Sequence, residues 1–194
     1  MANPVPIGER AADDLRAIRA AMDRSRTFTA VPGRGGAAMG GVGLAAAAGG
    51  ALAGSPEAWL AVWLAAAAVA LGVGLTAMHA KAARAGVSMA GPAARQFALG
   101  LAAPFVAGGA LTAGLWQIGA WSLMAPTWLL LYGAGVLAGG AFSVPAVRAM
   151  GAAFMALGLA ALVTPAALGN LWLGAGFGAL QVGFGFYIAR HHGG

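Results

Sequence analysis

The stretch EAWLAVWLAAAAVALGVGLTAMH, Glu57 to His79, has a carboxylate at one end and an imidazole at the other, with only apolar and small residues and Thr76 between them. A hydrocarbon layer about 30 Å thick takes roughly 20 mostly apolar residues in a helix that rises about 1.5 Å per residue. The stretch therefore reads as one membrane crossing. The whole chain reads the same way: 60% of its 194 residues are hydrophobic and 8% are charged, and the mean hydropathy is +0.80. An ordinary water-soluble domain has about 25% charged residues.

Working outward with that ruler, six spans are expected: Gly36 to Gly54, Glu57 to His79, Gln96 to Leu115, Ser122 to Ser143, Ala146 to Val163, and Gly169 to Ala189. Turn residues separate them at Gly54-Ser55-Pro56, at Gly119, at Ser143-Val144-Pro145 and at Thr164-Pro165, and a polar stretch does so from Lys81 to Arg95. The predicted architecture is all-α: residues 1–35 form a cytoplasmic arm and joint, and residues 36–194 form a six-helix transmembrane domain.

Charge placement orients this bundle. With the N-terminus inside, Arg10, Arg16, Arg19, Arg24, Arg26 and Arg34 precede the first span, Lys81, Arg84 and Arg95 lie between spans two and three, Arg148 between four and five, and Arg190 after six. All 11 basic residues then fall on one side, as the positive-inside rule requires. Both termini are expected in the cytoplasm, with the protein in a bacterial inner membrane. The net charge of +6 is thus a topology signal, and no nucleic-acid partner is expected. Ala51-Leu52-Ala53 resembles a signal-peptidase site, but the long region before it carries four acidic residues, which is wrong for a leader.

Trp59 and His79, Trp128 and Arg148, and Trp172 and His192 are each twenty residues apart, which is about 30 Å of helix. Each even span therefore starts with an interfacial tryptophan and ends with a cationic or titratable group. The chain reads as three tandem helical hairpins in the same orientation; short outer turns alone would give the same spacing. Helices in lipid associate through close backbone contact. Glycine pairs at four-residue spacing, Gly36 and Gly40, Gly50 and Gly54, Gly135 and Gly139, Gly174 and Gly178, suit that role. Span one is so poor in large side chains that its neighbours are expected to hold it, and Pro104 should kink span three or free a carbonyl.

Ahead of the bundle, Gly8 to Arg24 reads as an amphipathic helix, with Ala11, Leu15, Ile18 and Met22 on one face and arginines on the other. Arg16, Arg19, Arg24, Arg26 and Arg34 are candidate contacts to anionic lipid or a partner, Phe28 a headgroup-level anchor, and Pro32-Gly33 the corner into the first span. Across this joint the run RAAMDRSRTFTAVPGRGGAAMG, Arg19 to Gly40, resembles the N-terminal signature of a group of small bacterial multi-pass membrane proteins. In that group an R-x-x-M-[DE]-x-S helix precedes FTAVPG and a glycine-rich span. The resemblance covers about 25 residues by motif; it implies a bacterial inner-membrane protein and assigns no functional residue.

The chain has no cysteine, so thiol chemistry and thiolate metal sites are excluded. Within the spans the only carboxylate is Glu57 at the outer edge, which argues against a proton-coupled carrier. No serine lies at a convincing depth near a histidine, and no catalytic role or resident cofactor is expected; His79, His191 and His192, near two helix ends, are the side chains that could hold a metal, haem or pigment. Gln181 and Tyr132 are the polar groups placed to act inside the bundle, as interhelical hydrogen-bonding partners or, with Thr76 and Thr112, as the lining of a solute path. Two functions follow. The first is a non-catalytic accessory or scaffolding subunit of a respiratory, photosynthetic or sensory membrane assembly, or an anchor for a cytoplasmic partner, in contact with lipid and with other subunits or further copies of itself. The alternative is a small channel or carrier for a neutral or apolar solute.

Overall fold

The computed structural model describes Asp13, Leu15, Ile18, Met22 and residues 28–86 and 88–192. The four arm positions are helical and exposed; Arg16, Arg19, Arg24 and Arg26 lie outside the described residues. Among the described residues six helices make up the fold: α1 (Gly33–Ala51), α2 (Pro56–Ala85), α3 (Pro92–Gln117), α4 (Trp121–Gly140), α5 (Pro145–Val163) and α6 (Ala166–His192). Helices α2 to α6 are long and apolar enough to cross a membrane; α1, rich in glycine, falls short of that measure.

Local chemistry sets the boundaries. Ser55 caps α2 by accepting from the Ala58 N–H at 3.2 Å, and prolines open α2, α3 and α5, where an amide N–H has no intrahelical partner to lose. Helix α2 ends at Gly86 with φ 63°, a left-handed conformation that glycine adopts without a Cβ clash. Thr164, held extended by Pro165, stops α5. Helix α3 continues through Pro104. Helix α6 begins with a 3-10 turn, Ala166–Leu168, and widens into a π-helix over Gly174–Leu180 before resuming as an α-helix.

Glycine contacts decide the packing. Helix α1 lies between α2 and α6, and α4 lies between α3 and α5. A Cβ at Gly40 would sit 2.6 Å from the Val182 nitrogen, and one at Gly43 would overlap the Phe177 carbonyl, so α1 and α6 meet backbone to backbone. A Cβ at Gly100 would likewise lie 2.6 Å from the Gly139 nitrogen, joining α3 to α4. Of the glycines expected to pack, Gly54 does not: it stands in the α1–α2 turn with open space around it.

The three consecutive helix pairs are packed unevenly. Helices α1 and α2 pair, as do α3 and α4, but α5 packs mainly on α4 while α6 packs mainly on α1, where Gly178 and Gly185 leave room for Leu44 and Ala37; Gly176 leaves room for Leu129 of α4. The result is two three-helix groups, joined where α6 touches α4 and α5. Helices α2 and α3, consecutive in sequence, make little contact with each other.

One end of the bundle is tied by the joint. Phe28 donates its N–H to the Phe142 carbonyl at 2.8 Å, Ser143 Oγ donates to the Phe28 carbonyl at 2.8 Å, and the Phe28 ring lies 5.0 Å from that of Phe97. Phe28, expected at the headgroup level, is only 2% exposed, because the turn after α4 and Phe97 in the second turn of α3 close over it. Pro32 is buried as well, whereas Arg34 is exposed. At the same end Lys81 Nζ donates to the carbonyls of Val31 and His192, each at 2.9 Å, joining α2 to the joint and to the end of α6. The described basic residues, Arg34, Lys81, Arg84, Arg95, Arg148 and Arg190, all sit on helix ends that converge here.

Candidate functional site

The gap between α2 and α3 is a cavity of about 410 Å³ in the side of the bundle. Its walls are Leu64, Ala67 and Leu71 from α2 and Pro104, Phe105 and Gly108 from α3, and its floor is Trp128 and Tyr132 from α4 with Phe177 and Gln181 from α6. The cavity exists because α2 packs on α1 and α3 on α4, each turning its wide apolar face elsewhere. None of the most apolar stretch of α3 is buried, against half of that in α4. A second cavity of about 150 Å³ shares Met39, Leu71, Phe105, Tyr132 and Gln181 with the first and leads toward Val31 and Pro32 in the joint.

At the far end the cleft is closed by aromatic rings. Trp59 of α2 stacks on Trp128 of α4, with centroids 5.5 Å apart and an interplanar angle of 4°. Trp128 donates its indole N–H to Thr112 Oγ1 at 2.8 Å, and that hydroxyl donates to the Gly108 carbonyl at 2.7 Å. Thr112 is thereby occupied by the wall itself. Deeper in, Tyr132 lies edge-on to Phe177 with centroids 5.0 Å apart and faces Phe105 at 5.7 Å.

Tyr132 and Gln181 meet at the floor. The phenol donates to Gln181 Oε1 at 3.4 Å, long for an O–H···O bond and correspondingly weak. Gln181 is 5% exposed. Among the described residues its amide nitrogen has no hydrogen-bond partner, and no fully enclosed side-chain nitrogen or oxygen is left unpaired, so that nitrogen opens onto the cavity Gln181 lines. Three of the four groups expected on a solute path, Gln181, Tyr132 and Thr112, are thus brought together. Thr76 is not: it is exposed on α2, with its hydroxyl turned back to the Gly72 carbonyl at 2.8 Å.

The histidines lie apart from this cleft. His79 is exposed on α2, and His191 stacks on Tyr187 at 4.3 Å with Nδ1 2.9 Å from the Tyr187 carbonyl. Among the described residues no three of His, Cys, Asp and Glu come together as metal ligands.

Two structural side chains were not singled out from the sequence. Asn170, at the start of α6, accepts at Oδ1 from Trp59 at 3.1 Å and from Trp63 at 3.0 Å, and donates from Nδ2 to the Ala47 carbonyl at 2.8 Å. It fixes α1, α2 and α6 together beside the cleft, where Gly50 leaves it room. Lys81, which as a charge marks topology, is 8% exposed and spent on backbone carbonyls. A polar residue beginning an apolar span was the available signal for Asn170. Comparison of the chain with protein-family models, with curated proteins and with solved structures finds no match in any of the three.

Proposed function

We propose that this chain is a non-catalytic multi-pass membrane protein that takes an apolar or neutral solute from the bilayer into the gap between α2 and α3. In this reading all six helices cross, with α1 carried by α2 and α6. The joint end faces the cytoplasm of a bacterial inner membrane, where the positive-inside rule puts its basic residues. The observation that supports it is the 410 Å³ cleft, apolar except for a few groups on its floor and wall. Within a bilayer such a gap is bathed by hydrocarbon, so a dissolved lipophile reaches Tyr132 and Gln181 without passing the headgroups. The lining has no carboxylate or histidine and offers binding rather than proton transfer. The accessory-subunit reading draws on an arm most of which lies outside the described residues.

The test is extraction of hydrophobic compounds from the protein purified in native-lipid nanodiscs, compared with Gly108→Phe, whose added ring fills the cleft. A Cβ at Gly108 meets nothing closer than Leu131 Cδ1 at 3.7 Å, so the ring can enter the open space. A compound enriched over bulk lipid in the wild type and absent from the filled variant is expected. Identical extracts from the two would overturn the proposal.

A further inference from the structure

Within that reading of the cleft, we propose that its ligand is a lipophilic ring compound with a carbonyl acceptor, and that Gln181 recognises the carbonyl through its amide N–H. The floor combines two features. One is a set of ring faces and edges from Phe105, Tyr132 and Phe177, which favours a flat ring over a flexible chain. The other is a single amide donor, nine-tenths buried and open to the cavity.

Gln181 has little capacity elsewhere. Its oxygen is engaged by Tyr132, and Thr112 is satisfied by Trp128 and Gly108, so the amide nitrogen is the polar atom left for a ligand. A donor in hydrocarbon with no acceptor is costly, and a bound carbonyl removes that cost. Cationic or acidic ligands would meet no counter-charge among the residues lining the cavity. The smaller cavity leading from Gln181 toward the joint gives an apolar tail a place to lie.

The test compares two probes of one shape, 2-methyl-1,4-naphthoquinone and 2-methylnaphthalene, radiolabelled and partitioned into nanodiscs with and without the protein. Both should bind the wild type above the lipid background, the quinone more tightly. Gln181→Met keeps the volume and removes the donor, and should weaken the quinone roughly five- to tenfold while leaving the hydrocarbon unchanged. Retained hydrocarbon binding also shows that the variant is folded. Equal loss of both probes, or no loss of either, overturns carbonyl recognition and leaves the cleft as a nonspecific apolar site. If neither probe binds the wild type, the solute-binding reading itself fails.

Discussion

Asn170 accepts the indole N–H of Trp63 at 3.0 Å, tying α6 to α2 at the end of the bundle opposite Lys81. The same oxygen accepts from Trp59, which stacks on Trp128 and closes that end of the cleft. Asn170 therefore holds two tryptophans, one lining the cavity and one roofing it, and through the Ala47 carbonyl it also holds α1. In an apolar surrounding these groups have no water to turn to when the amide is lost.

Asn170→Leu should lower stability by about 1–3 kcal/mol, since interhelical bonds in membranes average about 0.6 kcal/mol each and unpaired donors add to the loss. Reversible unfolding in mixed micelles measures this. Trp116→Phe is the control, because Trp116 is 53% exposed and makes no part of the clamp. Equal effects from the two substitutions would count against the clamp.

Two glycines of α1 on either side of Val42 should respond in opposite ways. A Cβ at Gly43 runs into the Phe177 carbonyl, whereas one at Gly41 has nothing within 4 Å. Gly43→Ala should cost about 1–3 kcal/mol as the helices are forced apart, and Gly41→Ala should be neutral or stabilise by up to about 1 kcal/mol through helix propensity. Because Phe177 lines the cleft, the Gly43 variant should also weaken probe binding.

Orientation is open to a direct test. The basic residues at the joint end predict that a reporter fused after Gly194 is active only in the cytoplasm, and one inserted at Ile118, in the turn between α3 and α4, only outside. Opposite results at both sites would reverse the bundle. A reversed result at one site alone would mean an even number of crossings between them.

Six helices and their turns were legible because each apolar run is bounded by proline, glycine or a polar stretch, and the observed ends lie within a few residues of those signals. Helix α2 runs further than expected, to Ala85, because Ala80 to Ala85 is a good helix-forming stretch and Lys81 finds acceptors within the fold. The neighbour relations were not legible. Hydropathy shows that Gly40 and Gly174 can pack closely, but not that α6 would leave α5 for α1. For the same reason Gln181, Tyr132 and Thr112 stood out as polar, while the cleft that unites them depends on α2 and α3 lying apart. Phe28 shows the limit of single-residue reading: an aromatic next to arginines suits an interface, and only the turn at Ser143 reveals a buried seat.

That seat gives the last prediction. Phe28 places its ring against Phe97 while its backbone bonds to Phe142 and Ser143, so one residue of the joint links the start of α3 to the turn between α4 and α5. Phe28→Ala should cost about 3 kcal/mol, the lower range for an enclosed phenylalanine, because one side of the site is the end of the bundle. Ser143→Ala should cost about 1 kcal/mol for the lost hydrogen bond. The Phe28–Phe97 pair should show a coupling of about 0.5–1.5 kcal/mol in a double-mutant cycle. Amide exchange separates docking from general loosening: the residue 28 N–H, bonded to the Phe142 carbonyl, should exchange quickly in Phe28→Ala while amides in the middle of α4 stay protected. If residue 28 remains as protected as α4 in that variant, the backbone bonds alone seat the joint, and the aromatic contact is incidental.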